Sequence, residues 1–502
     1  VGVAVVHPLF PSSLTVKAGE TLTKQFFTGI ATSLDSLSPL GTALDTVLDA
    51  AVSDVWGEHQ EAWAKLNAEG GMEVEGDLGL AQAINASLFY IKSSIRSDWP
   101  YGLSPGGLAS QGYNGHTFWD QETWMWPPLL LFHPDLARSA LQYRTDRLDG
   151  ARAKARLFGY EGAMFPWESA FTGRDVCAPE ERIYENHISG DIAFAVRQMW
   201  AASGDMAWLQ SSGWPLASGI AEFWASRVVY NDTTNTYDID DVQPPDEFHV
   251  DVNNSVFTNA VAALSLEFAA AVAPLVNQTA PPTWTKIAAN MQMDVDTKRL
   301  IHPEYDGYLN DTVKQADVIL LGFPLGWKMS AELLKGDLDF YESHTTDGGP
   351  AMTWAMFCIG HLALGDYEKA ASLFLRSYSN IQEPFKVWTE TPSGGTVNFI
   401  TGAGGFLQGV AFGYGGVRLS LDSLVINPPP PPPPSTSLTL RGLNYLGWEF
   451  DVRVSDSTLT ITPTASTPSA PILVALDAQG HEHDLTVPLS LQRQKLTISR
   501  RS

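Results

Sequence analysis

Two cysteines in 502 residues are too few for a disulfide framework, and no thiolate metal cluster can be built from them. Cys177 and Cys358 could form one bridge at most, and no metal-ligand spacing surrounds either of them. Positive charge is also scarce: 31 Lys and Arg face 56 Asp and Glu, for a net charge of −25. That balance excludes a nucleic-acid partner, whose phosphates need a basic surface, and an anionic membrane surface. No run of 18 or more apolar residues occurs, so no membrane-spanning helix is expected. There is no Walker loop, dinucleotide fingerprint, G-x-S-x-G elbow or H-E-x-x-H pair. Cradled phosphates, nicotinamide chemistry, serine-elbow esterases and zinc hydrolysis fall away with them, and no cofactor or metal is expected.

Hydrophobic residues make up 44% of the chain and charged ones 17%, which excludes disorder and allows a large core. The 16 tryptophans suit a sugar cleft, in which pyranose faces lie on aromatic rings, or simply a large core. Glycosylation sequons begin at Asn85, Asn231, Asn253, Asn277 and Asn310. They favour a secreted or lysosomal/vacuolar protein, with a cytoplasmic one as the alternative. No signal peptide is visible, and the opening reads as strands already under way, so the chain is expected to lack its natural start.

Residues 1–33 alternate with period two. From Leu40 through Ala43, Leu44, Val47, Leu48, Ala51 and Val52 the spacing becomes helical and continues past Trp56 and Trp63, predicting one long linker helix within 34–78. Helical segments follow at roughly 80–97, 127–149, 187–203, 214–228, 255–272, 283–292, 350–363, 366–378 and 403–412. Long Gly- and aromatic-rich loops separate them, the pattern of an α/α toroid whose loops build a site at one end. Seven prolines, Pro428 to Pro434, read as a stiff polyproline II spacer at 428–434. Residues 435–502 alternate again and predict a small β domain.

Five islands hold the residues with chemistry: GHTFWDQETWMWP (115–127), MFPWES (164–169), PPDEFHVDVNNSVFTN (244–259), VKQADVIL (313–320) and EPFKVWTETPSGGTVNFITGAGGFLQG (383–409). Glycoside hydrolysis needs one carboxyl group kept protonated and another kept ionised. Glu247 follows two prolines and precedes Phe248, surroundings expected to raise its pKa by desolvation. Glu390 precedes a flexible Ser-Gly-Gly stretch that leaves room for water. Taken alone, each reads as an ordinary solvated surface carboxylate.

FWDQETWM, PDEFH, KQAD and WTE…NFITGAGGFLQ, in this order, resemble the motifs of glycoside hydrolase family 65, and the resemblance runs from residue 1 to about 427. It implies a mainly α fold: the end of an N-terminal β-sandwich at 1–33, a linker helix, an (α/α)6 barrel at 79–427 and a C-terminal β domain. It also implies an inverting α-glucosidase with Glu247 as general acid and Glu390 as general base. By the same resemblance Trp119 and Asp120 grip the terminal glucose, together with Lys314 and Gln315. Trp388 either lines that pocket or packs in the core, and Glu168 with Trp167 either borders the glucose subsite or packs a loop. His116, His187 and His249 read as site-wall residues, Asp246 and Glu122 as groups that orient neighbours, and Asn253, Asn254 and Asn259 as caps for the following helix.

A phosphorylase would need no base, and a carboxylate at residue 390 would repel phosphate, while a non-catalytic sugar-binding protein would have lost one of Glu247 and Glu390, so a hydrolase is expected ahead of either alternative. The resemblance favours a small-molecule or protein-linked α-glucoside, best α-1,2-glucosyl-galactose as in glucosylgalactosylhydroxylysine or a kojibiose-type sugar, with α,α-trehalose as the alternative. A homodimer, or association with a missing N-terminal sandwich portion, is the expected protein partnership.

Overall fold

The computed structural model describes residues 2–99 and 101–501 and divides into two compact units, residues 1–69 and 70–502. In the first, strands Val3–Val6 and Gly29–Thr32 pair antiparallel, with Val3 opposite Thr32. The expected single linker helix is two helices, Pro39–Ala50 and Val55–Glu69. Ser53 and Asp54 interrupt the helical pattern, and the Asp54 carboxylate turns forward to accept the Gly57 amide at 3.1 Å, which starts a new helix rather than extending the old one.

In the second unit, helices His187–Ser203, Val256–Val272, Thr353–Leu364 and Ile400–Gln408 bury most or all of their residues. Leu148–Leu157, Ala331–His344 and Tyr367–Ser377 bury one stripe each, and the last two pack against Thr353–Leu364. A helix apolar all round must be enclosed, whereas an amphipathic one can face water. Chain reversal between the tiers is local chemistry. Thr353–Leu364 ends at Gly365 with φ +80°, and Asp366 then accepts the Lys369 amide at 3.2 Å to cap Tyr367–Ser377. Gly404 lets two inner segments touch, since a Cβ there would lie 2.4 Å from the Trp124 carbonyl oxygen. Against expectation, Val256–Val276 is long and apolar enough to cross a membrane, with mean hydropathy 1.7; yet 67% of that stretch is buried inside the fold, the setting of a core helix.

The β domain differs from its expected bounds. It consists of two five-stranded antiparallel sheets, and it draws in Val417–Leu419, Leu424–Ile426 and, from far upstream, Gly71–Glu75. Gly71–Glu75 pairs along Ser437–Tyr445, with Glu75 opposite Ser437. The proline run is therefore not a spacer between separate bodies: Pro428, Pro429, Pro431 and Pro432 are buried against the unit. A further three-stranded sheet, Ile381–Gln382, Val387–Thr391 and Gly394–Val397, sits among the helices where no strand was expected. Strands this short carry too few alternations to be read from sequence.

Candidate active site

Asp120 stands at the start of a π-helical turn, Gln121–Met125, leading into the fully buried helix Trp126–Phe132. Its Oδ2 accepts a 2.6 Å hydrogen bond from the Thr401 hydroxyl at the start of Ile400–Gln408, 281 positions away. Burial raises the Asp120 carboxyl to about 7, and the charges of Glu247 and Glu390 add to that; the Thr401 bond opposes it.

Glu390 lies on the strand Val387–Thr391. Its Oε1 accepts from the Tyr113 hydroxyl at 2.7 Å and its Oε2 from the Thr396 amide at 2.9 Å. Gly395, φ +76°, lies directly beneath: a Cβ there would come within 2.8 Å of Oε2. Tyr113 was not singled out from the sequence. Its signal is the backbone, because Tyr113 and Asn114 both take positive φ, 60° and 53°, between Gly112 and Gly115. Burial raises the Tyr113 phenol, and Asp120, Glu390 and Glu247 raise it further, so the hydroxyl remains a donor. Asp120, Glu247 and Glu390 thus all act on this one phenol, and Glu247 and Glu390 both act on Asp120.

Glu247 has φ +61°, a strained conformation for a side chain of this size. Its loop is held from several directions. The Glu247 amide donates to the Pro244 carbonyl at 3.1 Å, Lys314 Nζ reaches Oε2 at 2.8 Å, and Gln315 Nε2 reaches Oε1 at 2.9 Å. Asp246 joins the two loops. Its carboxylate accepts from the Lys314 amide and from His249 Nδ1, and its own amide donates to Asp317 Oδ2 at 2.9 Å. Lys314 and Glu247 remain partly open, with side chains 29% and 24% exposed, whereas Gln315 is buried.

His187 lies behind this wall, completely buried, with Asp191 Oδ2 at 2.7 Å and Glu185 Oε2 at 3.1 Å, the latter without hydrogen-bond geometry. Burial disfavours its charge, but the two carboxylates outweigh that and raise His187 to about 10. Burial in turn raises Glu185 to about 7 against the pull of His187. The edges of Trp119, Trp167 and Phe257 meet the imidazole.

Other residues fall differently from expectation. Trp119 adjoins Asp120 but is 1% exposed, so its ring is floor rather than a stacking face. Trp388 is wholly buried, donates from Nε1 to Ser87 Oγ at 3.0 Å and packs on Phe406, which makes it core rather than pocket lining. Glu168 Oε1 lies 2.7 Å from His116 Nδ1, both half-buried beside Thr117. Glu122 forms a buried ion pair with Arg144 at 2.8 Å, consistent with an orienting role. The cap of Val256–Val272 is Ser255, not an asparagine. Asn254 instead accepts from the Ile239 amide and the Asn259 side chain and donates to Asp306, while Asn253 accepts from the Asp241 amide. Both cysteines are free.

Asp246, His249 and Glu304 place ligand-type atoms within 4.8 Å of one another. Burial and the charges of Asp317 and Asp246 drive the Glu304 carboxyl well above its ordinary range.

Residues 86–313 match the model of the glycosyl hydrolase family 65 central catalytic domain. The protein-glucosylgalactosylhydroxylysine glucosidase of Dictyostelium discoideum is 46% identical over 93% of this chain and 67% of its own length. The kojibiose hydrolase of Flavobacterium johnsoniae is 37% identical over 80% and 60%, respectively. A solved structure from the human microbiome, described as a kojibiose phosphorylase, overlaps 98% of this chain and 74% of its own at TM-score 0.77 and 18% identity, which speaks to the fold alone.

Proposed function

The chain belongs to glycoside hydrolase family 65, and from that premise we propose that it is an inverting, exo-acting α-glucosidase working at the end of an (α/α)6 barrel. The observation that carries this reading is the pair Glu247 and Glu390, two carboxylates that both act on the Tyr113 phenol and on Asp120. Glu390 is held by a phenol and a backbone amide, neither of which can take up a proton from it in the working range. Its remaining lone pairs are free to accept one from water. Glu247 is held by Lys314 and Gln315, donors that hydroxyls of a bound glucose can engage instead.

In the proposed single displacement, a water oxygen bonds to the anomeric carbon while its proton passes to Glu390. The bond from that carbon to the glycosidic oxygen breaks, and Glu247 delivers its proton to the departing oxygen. Asp120, Lys314 and Gln315 hold the terminal glucose. With sugar bound, the two carboxyl groups stand about 6.5–9.5 Å apart, the gap that admits the attacking water.

For the substrate we infer α-1,2-linked glucose on galactose, as in glucosylgalactosylhydroxylysine. The name and 46% identity of the Dictyostelium relative support this over trehalose. Kojibiose is the second reading, supported by the 37% identical hydrolase, and it shares the α-1,2 linkage. Turnover of the collagen disaccharide unit, kojibiose, nigerose, maltose and trehalose discriminates among them. Fastest hydrolysis of trehalose would defeat the substrate assignment.

The roles are tested with two variants. Glu390→Gln abolishes hydrolysis of every α-glucoside. Glu247→Gln loses about 10²–10⁴-fold on natural sugars but much less on α-glucosyl fluoride, whose leaving group needs little acid help. Proton NMR of the first product shows β-glucose; α-glucose appearing first would overturn the single displacement.

A further inference from the structure

The helices that present Asp120, His187 and Thr401 enclose a second space further along their length. It is a cavity of about 290 Å³ lined by Trp126 and Phe194, by Phe323 on the loop before Ala331–His344, and by Gln408, Phe412 and Arg418. Arg197 also faces it. Thr401 and Gln408 are seven residues apart on one helix, and His187 and Arg197 ten on another. At 1.5 Å per residue the cavity therefore lies roughly 10–15 Å from the proposed glucose subsite. Its mouth opens beside Gly326 and Ser420, both exposed.

Its charge is anomalous. The chain carries a net charge of −25, yet among the described residues no Asp or Glu lines this cavity, and its only charges are the guanidinium groups of Arg197 and Arg418. Arg418 lies across the face of Phe323 at 4.7 Å. Its Nη1 donates to the carbonyls of Phe412 and Val417, the latter at 2.8 Å, and the rest of its five-donor fork has no partner among the described residues. Burial lowers its pKa to about 10, with no carboxylate to offset the loss, and it stays charged. Arg197 makes no ion pair or hydrogen bond among the described residues; the field of Glu267, an exposed residue, is its one compensation. Both arginines are half-buried, and partly desolvated cations without a facing carboxylate attract an anion into the cavity.

We propose that this cavity binds a small organic carboxylate, its oxygens against Arg197 and Arg418 and its apolar body against Trp126, Phe194 and Phe412. The planar fork of an arginine suits a carboxylate. The aromatic walls select an organic acid over an inorganic anion, which would leave them wetted.

Isothermal titration calorimetry of the full chain with 3-phenylpropionate tests the proposal, with the uncharged 3-phenylpropionamide and inorganic sulfate as comparisons. The acid binds saturably, and the amide and sulfate each bind at least about tenfold more weakly, the worth of one charge-assisted hydrogen bond or of the apolar contact. Arg197→Gln weakens the acid by about tenfold or more while leaving melting temperature and α-glucoside turnover unchanged. Because Arg418 also ties down two carbonyls, Arg418→Gln can lose fold as well as binding, so Arg197→Gln is the deciding variant. No saturation up to about 10 mM, where even a weak fragment of this size registers, would overturn the proposal. So would equal binding of acid and amide, equal binding of acid and sulfate, or undiminished binding in Arg197→Gln.

Discussion

Tyr113 gives the sharpest expectation among single residues, because its hydroxyl does one definable thing. It donates to Glu390 Oε1 at 2.7 Å. A hydrogen bond to a charged group is worth about 1.5–3 kcal/mol, so Tyr113→Phe lowers kcat by roughly tenfold or more. KM changes little, since the phenol orients the base and does not hold glucose; a steady-state comparison of the two parameters checks it, and a loss confined to KM would contradict it. Asp120 yields a pH expectation. Burial raises its carboxyl to about 7, so it is largely protonated at pH 6 and ionised at pH 8. The ionised form is the better acceptor for sugar hydroxyls, and glucose inhibition therefore strengthens several-fold as pH rises through 7. Asp120→Asn binds glucose more weakly and removes the step; a step that persists in the variant belongs to another group. Asp120, Glu247, Glu390, Lys314 and Gln315 were legible in the sequence because they sit in dense, distinctive motifs. Tyr113 was not, since a tyrosine between glycines announces nothing until its backbone is seen to be left-handed. Trp388 shows the converse: two residues from a candidate base, it turned inward to Ser87.

Among the elements, the site depends on how helix starts and loops are braced against each other. The start of His187–Ser203 carries a buried cation between two buried carboxylates, next to the rings that form the pocket floor. His187 is raised to about 10 from an ordinary 6.5, so the stability it lends is complete below pH 6.5 and is lost as pH rises through 10. Glu185, raised to about 7, works in the same direction: the folded state loses stability as pH rises from the ordinary carboxylate range to 7. His187→Gln leaves Asp191 and Glu185 without their partner, at about 3–5 kcal/mol for a broken buried pair. Thermal melts between pH 6 and 10 are expected to show a lower melting temperature for the variant at pH 6 and a smaller fall towards pH 10. Helix positions were largely readable from apolar spacing, including Val256–Val272 and His187–Ser203. Breaks within them were not. The linker divides where an aspartate side chain competes for backbone amides, and the strand bearing Glu390 is too short for its period to register.

At the scale of the whole chain, the order of elements was visible in the sequence and the closure was not. The change from helical to alternating pattern and the proline run marked the β domain, but nothing near residue 71 indicates a strand whose partner lies beyond the prolines. Long-range pairing leaves no local trace. The Thr436 amide donates to the Glu75 carbonyl across 361 positions, and Arg453 reaches the Glu75 carboxylate at 2.7 Å. Gly71–Glu75 therefore emerges from the ribosome long before the strand it pairs with. At about 5–20 residues per second, synthesis of the intervening chain takes roughly 20–70 s. Throughout that interval this strand, with Met72 destined for burial, has an unpaired edge in a crowded cell. Birth of this enzyme is thus a timed handover: the first-made strand of the second unit is among the last to be secured, and chaperone occupancy during translation is the natural guard of that gap.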